Sequence, residues 1–555
     1  MNNVIAWKEL LTQLRKADHA EICFTSLITC SKLHIPGPAI LKSYHDTLFF
    51  LLANPFDENC SRLAEEELER LVTILRKHTD NRNWQHFLSN SGLPYTEIRC
   101  QYGSTMVKWL MQEFPDMLYP VESDADFEVF QQLSQAALPG IEFHHTTQGK
   151  YNIWNRIKWL SGHYRNTAAL QWLINLIDQQ DWTPVLKDQL YDGLKVYVSW
   201  KLVNDKTGIT FNRLLVKSVF YKKPDKSIAD PLAILSKRIN GPIQSSLEEK
   251  LKLISIVRSS LAFYARETDP VTHADTEETF LYEMGEGLQI ALTGMVKDRR
   301  LALESYIGYM AFKNGIPVSY GGGWIWGHRC KIGINIYPPF RGRGSDKLFC
   351  QILRLYFQVY AVRRFVVKPY QFGKGNPEGL KSGAFWFYYK LGFRPVNEDI
   401  KKMADSEWEK ISAGKNYRSP LSVLKSFTAC NKEWEPVKTR LHFIDADKVS
   451  ITVTKMINHQ FAGNRKLAIE SCMKELRSFI GLKKIPKLQP LERKVWHNWS
   501  LLFVCMPETE LWNKTARKKF HQLLELKANG FELDFIRELQ VHEDFWNSLL
   551  KMTVN

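Results

Sequence analysis

The stretch that most constrains the fold is KIGINIYPPFRGRGSDKLFCQILRLY, Lys331 to Tyr356. Ile332, Ile334 and Ile336 alternate with Lys331, Gly333 and Asn335, the period of a strand with one buried face. Pro338 and Pro339 end it, because neither carries an N–H for a ladder. Arg341-Gly342-Arg343-Gly344-Ser345 follows, and then Leu348, Ile352, Leu355 and Val359 recur at helical spacing. Such a turn aims backbone N–H groups and a helix N-terminus at one point, which suits a phosphate. A helix-length crossover also implies that the strands before and after it are parallel neighbours. The central region is therefore expected to be an α/β mixed sheet.

The flanking segments extend that sheet. Arg364 to Lys368 is a short apolar strand candidate, expected beside the strand Ile332–Tyr337. Phe385-Trp386-Phe387-Tyr388-Tyr389-Lys390-Leu391 reads as a short helix ended by Gly392, with a new strand from Phe393. Upstream, Tyr306–Phe312 and Pro317–Trp326 form a hairpin around Asn314-Gly315. Residues 278–295 suggest two short strands around Gly285-Glu286-Gly287, which lacks the x-x-G that completes a dinucleotide fingerprint.

From about Phe280 to about Val396 this arrangement resembles the GNAT superfamily of acyl-CoA-dependent N-acyltransferases. That family has a strand ending in an R-G-x-G turn that holds the coenzyme A pyrophosphate, then a helix, a further strand and a closing Y-x-K-x-G-F element. Arg341–Gly344 and Tyr388–Phe393 match the turn and the closing element. The resemblance implies acetyl-CoA or another acyl-CoA as co-substrate and direct attack by an amine acceptor, a small molecule or a protein, in a ternary complex. It implies that a backbone N–H near the end of the strand, at Ile336 or Tyr337, polarises the thioester carbonyl. That strand end would splay from Phe365–Val367 to admit the pantetheine arm. Tyr388 matches the tyrosine that protonates the leaving thiolate; packing among its aromatic neighbours is the alternative. Arg341 and Arg343 would pair with the pyrophosphate or the 3′-phosphate, with the N–H groups of Gly342, Gly344 and Ser345 beside them. Asn376 would lie near the pantetheine, and Glu304 is the first carboxylate to test as general base. The family's turn carries a small residue where this chain has Asp346. That carboxylate either points outward as a helix-start residue or opposes the phosphates. Cys330 and Cys350 read as buried, inert thiols.

The regions outside the centre are expected to be largely α-helical, with divisions at 1–145, 146–274, 275–400 and 401–555. Arg62–His78 carries Ala64, Leu68, Leu71, Val72 and Leu75 on one face, and Glu65 to Glu67 read as surface charge. His144-His145 has no partner at metal-ligand spacing. Trp154, Trp159, Trp172, Trp182 and Trp200 sit among aliphatic residues on helix-like segments, which suits packing better than base stacking. Asp269-Pro270 and the polar run after it suggest a boundary. Ile469, Met473, Leu476 and Ile480 form a helical stripe with Gly481 as its stop.

Charge is uneven across the 555 residues. Net charge is +16, yet residues 1–150 hold 13 Lys and Arg against 19 Asp and Glu. The basic remainder attracts nucleic acid, anionic cofactors and acidic proteins alike. No zinc-finger, helix-turn-helix or RNA-recognition signature accompanies it. No apolar run reaches membrane-spanning length. The nine cysteines are scattered, without a C-x-x-C pair, and no signal-peptide pattern opens the chain, so a cytoplasmic setting is expected. The reading is a multidomain bacterial protein that transfers an acyl group, acetyl first, from coenzyme A to an amine. Two rivals stand beside it: a degenerate domain in a binding or scaffold protein, and an RNA-directed acyltransferase.

Overall fold

The computed structural model describes the chain except residues 1, 116, 143–151, 164, 223–228, 343, 415–416, 442 and 555, and the side chains of 2 and 554. Arg343, His144 and His145 lie outside the described residues.

The centre is a mixed α/β arrangement. Nine strands among the described residues form one sheet: β4 (Ala274–Gly285), β5 (Leu288–Met295), β6 (Ser305–Lys313), β7 (Ile316–Trp326), β8 (Arg329–Ile332), β9 (Asn335–Ile336), β10 (Arg364–Val367), β11 (Arg394–Pro395) and β12 (Lys432–Trp434). From β4 to β8 it is an antiparallel meander. Both expected hairpin turns place residues at positive φ, Glu286 and Gly287 at 54° and 69°, Asn314 and Gly315 at 47° and 79°. That conformation matches the strand twist and favours Asn-Gly.

The crossover also follows expectation. The helix Ser345–Val359 buries Ile352 and Leu355 against the sheet. It delivers the chain to β10, which runs parallel to β8. The expected strand Ile332–Tyr337 is corrected, because pairing begins earlier, at Arg329, and is interrupted at Gly333-Ile334. The sheet also takes a strand from beyond residue 400. β12 lies between β10 and β11, antiparallel to both.

The N-terminal part is mostly helical but not wholly so. β1 (Glu97–Cys100) and β2 (Leu118–Ser123) flank β3 (Val196–Lys201) in an antiparallel sheet. This sheet draws strands from both sides of residue 145. Trp200 is therefore a strand residue, fully buried and stacked on Phe263. The helix Glu58–Lys77 buries the five apolar residues named from its sequence. Glu67 departs from surface charge: it is buried, receives the Tyr44 hydroxyl at 2.8 Å and pairs with Arg70. Within the stretch read as a boundary, Asp269–Thr272 is a short helix and Ala274 already starts β4.

The C-terminal helices dock on the sheet through buried charges. Arg300 bonds Glu278 on β4 at 2.8 Å, donates to the Gly530 carbonyl at 2.7 Å and lies 3.6 Å from Glu532. Lys527 lies 3.5 Å from Glu532, which also receives the Ser305 hydroxyl. The Glu532 N–H donates to Glu278 at 2.7 Å. Each of these polar side chains is matched by another, so two acids and two bases can share the interior.

Candidate functional site

The site named from the sequence lies where β8 and β10 part. Their pairing runs Arg329↔Arg364, Cys330↔Phe365 and Lys331↔Val366, then stops. The chain stays along β7: Ile332 of β8 opposes Gly323, and three residues on, Asn335 of β9 opposes Tyr320. The register against β7 is the same on both sides of the interruption, and Gly333 and Ile334 are paired to neither neighbour. Pro369 forbids β10 from donating further and turns the chain into the Pro369–Phe372 helical turn.

Two side chains reach this parting. The Tyr388 hydroxyl donates toward Gln371 Oε1 at 3.4 Å, and the Ile334 backbone is near enough to act on the Tyr388 phenol. Burial pushes the Tyr388 phenol pKa up, and the Ile334 backbone partly offsets this. The phenol is therefore neutral at ordinary pH, a proton donor rather than a base. Its ring packs edge-on against Phe349, with centroids 5.6 Å apart, and against Phe393. Packing and position coexist: the ring is core and the hydroxyl borders the gap. Gln371 was not singled out from the sequence. Its side chain lies so close to Gly333 that a Cβ there would sit 2.5 Å from its amide carbon. A side chain at position 333 would require Gln371 to shift, and no spacing in the sequence announces that contact.

The glycine turn is at the start of the crossover helix. Gly342 and Gly344 have φ of 119° and 89°, which other residues rarely adopt, and nothing lies within 4 Å of where a Cβ would stand on either. The space beside the turn is open. The Ser345 hydroxyl donates to the Gly342 carbonyl at 2.7 Å, tightening the turn. Arg341 donates through Nε to the Ile336 carbonyl at 3.1 Å and pairs with Glu378. Asp346 turns to the neighbouring segment, where Oδ2 accepts the Ala229 N–H at 3.3 Å.

The remaining named residues have structural partners. Ile336 lies in β9, paired to Ser319. The Tyr337 N–H donates to the Val318 carbonyl, so it is engaged by β7, and its hydroxyl donates to the Ser260 carbonyl at 3.2 Å. In this geometry Gly333-Ile334, not Ile336 or Tyr337, is the step at which the strand is unpaired. Asn376 caps the Pro377–Lys381 helix, accepting the Gly379 N–H and donating to the Tyr370 carbonyl. Glu304 forms an ion pair with Lys331 at 2.7 Å. Burial pushes the Cys350 thiol to about 12 and Cys330 well above its ordinary value, which keeps both thiols inert.

A cavity of about 310 Å³ lies elsewhere, lined by residues of 101–105, 188–196 and 267–273. None of the site residues named from the sequence lines it. No helix among the described residues is long and apolar enough to cross a membrane. Comparison with protein-family models, curated proteins and solved structures finds no match.

Proposed function

We propose that the central sheet is a GNAT-like domain that transfers an acyl group, acetyl first, from acyl-CoA to an amine. The observation that carries this reading is the parting of β8 from β10, with the Ile334 backbone and the Tyr388 hydroxyl at its edge. Acyl transfer from a thioester needs a donor for the developing oxyanion and a proton for the thiolate. Ile334 supplies the first and Tyr388 the second. Gly342, Gly344 and Ser345 border open space at a helix start, as a diphosphate requires. Gln371 must move aside for a pantetheine arm. Glu304 is held by Lys331, so a neutral amine has to be delivered by another base or from solution.

Calorimetric titration with acetyl-CoA, and with free coenzyme A as control, tests the reading. Tyr388→Phe should lower turnover by about 10²-fold or more while leaving affinity near wild type. Gly344→Asp should weaken binding by on the order of 2 kcal/mol, since it strains the backbone and sets a charge beside a diphosphate. If neither ligand binds at millimolar concentration, the reading fails.

Two observations favour the rival, a degenerate domain in a binding or scaffold protein. Gln371 fills the parting, and Arg341 is paired with Glu378. Asp346→Gly separates the two. With its carboxylate held by the Ala229 N–H, coenzyme A affinity should change little in an active enzyme. Binding that emerges only in this variant identifies the degenerate domain.

A further inference from the structure

The cavity of about 310 Å³ brings three distant segments together. One is the turn from β1 into the helix Ser104–Glu113, the second the end of the helix Pro184–Gly193 and its link to β3. The third is the stretch from Glu267 through the short helix Asp269–Thr272 to His273. Four carboxylates line it: Asp188, Asp192, Glu267 and Asp269. Two of them have partners. Asp188 pairs with Arg299 and accepts from the Ser104 hydroxyl at 3.3 Å. Glu267 accepts the Gly103 N–H and the Thr272 hydroxyl, each at 2.9 Å. The Asp192 and Asp269 carboxylates have no hydrogen-bond or ion-pair partner among the described residues. Each acid adds to the field on the others: Asp188 and Asp269 raise the pKa of Asp192, and Asp192 and Asp269 raise that of Glu267, burial being the larger cause in both.

Clustered acids alone do not make a site, and two further groups point to a ligand. The Tyr191 side chain lines the cavity and is 1% exposed, and its hydroxyl has no hydrogen-bond partner. It lies in the field of Asp192 and Glu267. The Thr268 hydroxyl is also buried and unpartnered, although Thr268 stands at a helix start where it would ordinarily cap. A buried polar group without a partner costs stability, and a bound molecule can supply the missing bond. No group of three or more His, Cys, Asp or Glu side chains among the described residues could hold a metal ion. An anion would meet four acids.

We propose that this cavity binds a small organic cation through a primary ammonium group, received by Asp192, Thr268 and Tyr191. An ammonium has three N–H donors and no acceptor, so it suits a carboxylate and two hydroxyl oxygens. It also offsets the crowding of negative charge. The cavity volume is at the low end for ligand pockets, which limits the occupant to a small molecule. Lys195, which also lines the cavity, makes no ion pair with these acids among the described residues. The site shares no lining residue with the parting in the sheet and does not rest on the acyltransferase reading.

The test is calorimetric titration of the full chain with butane-1,4-diamine at low ionic strength, with sodium acetate, sodium chloride and calcium chloride as controls. Saturable binding of the diamine at about millimolar affinity or tighter, with no acetate binding, is expected. Asp192→Asn removes the unpaired charge at an exposed position and should weaken the diamine about tenfold or more. Tyr191→Phe and Thr268→Val should each weaken it several-fold, by about the worth of one hydrogen bond. Lys195→Ala should leave affinity equal or higher. Absence of diamine binding in folded wild type overturns the proposal. So does calcium binding tighter than the diamine, or diamine affinity unchanged in Asp192→Asn.

Discussion

Two clusters of carboxylates in this protein are treated differently. At the seam between β4 and the C-terminal helices, Glu278 and Glu532 are buried with Arg300 and Lys527, and every one of them has a partner. At the cavity, four acids face Arg299 and a peripheral Lys195, and two remain unpaired. The first arrangement is closed and nearly charge-balanced, so it joins two parts of the chain. The second is open and unbalanced, so it can take something in. Satisfied buried charge belongs to architecture; unsatisfied charge beside orphaned hydroxyls belongs to binding.

Four measurements break or sharpen this contrast. Arg300→Met should have the largest effect. It leaves Glu278 and Glu532 buried without their shared cation, and urea unfolding should show a loss of about 3–5 kcal/mol. A loss below about 1 kcal/mol would remove the seam from the architecture.

The second is pH. Burial pushes the Glu278 carboxyl up to about 7, against 4.5 when exposed, with the Glu532 N–H and Arg300 opposing the rise. Between those values the folded chain binds more protons than the unfolded one. Stability from this group is therefore full below about 4.5 and falls as pH rises through 7, by at most roughly 3 kcal/mol. Unfolding free energies at a series of pH values, in wild type and Glu278→Gln, should differ in slope over that window. Parallel curves would contradict the assignment.

Arg299→Met at the cavity should cost only about 1 kcal/mol or less, because its pair with Asp188 is partly solvated. A loss as large as that of Arg300→Met would erase the distinction between the two clusters. Smallest is Asp192→Asn, whose stability should stay within about 0.5 kcal/mol of wild type without ligand. A substantial loss would mean that Asp192 has a structural partner.

What the sequence disclosed depended on locality. The Asn314-Gly315 turn and the apolar face from Ala64 to Leu75 are set by neighbours in the chain, and the structure has both. The alternation at Ile332, Ile334 and Ile336 marks a strand region, but one that is broken at Gly333-Ile334. β12 was missed because Lys432-Glu433-Trp434 has no pattern of its own; its pairing with β10 and β11 makes it a strand. β3 was missed because Trp200 among aliphatic residues fits a helix as well as a strand. At the parting, Tyr388 was found through its motif, whereas Ile334 and Gln371 follow from where pairing stops. The cavity was illegible because its lining residues come from three segments whose meeting no spacing records.

The position of β12 has a consequence for how the protein is made. β10 leaves the ribosome well before Lys432, and the helices Glu398–Ala413 and Leu421–Ser426 are synthesised in between. Throughout that interval one side of β10 offers unpaired N–H and C=O groups to any extended chain nearby. Nascent chains crowded on one message are the nearest such chains. A pause in translation before residue 432 would lengthen the exposure, and a message cut there would release chains whose open side never closes.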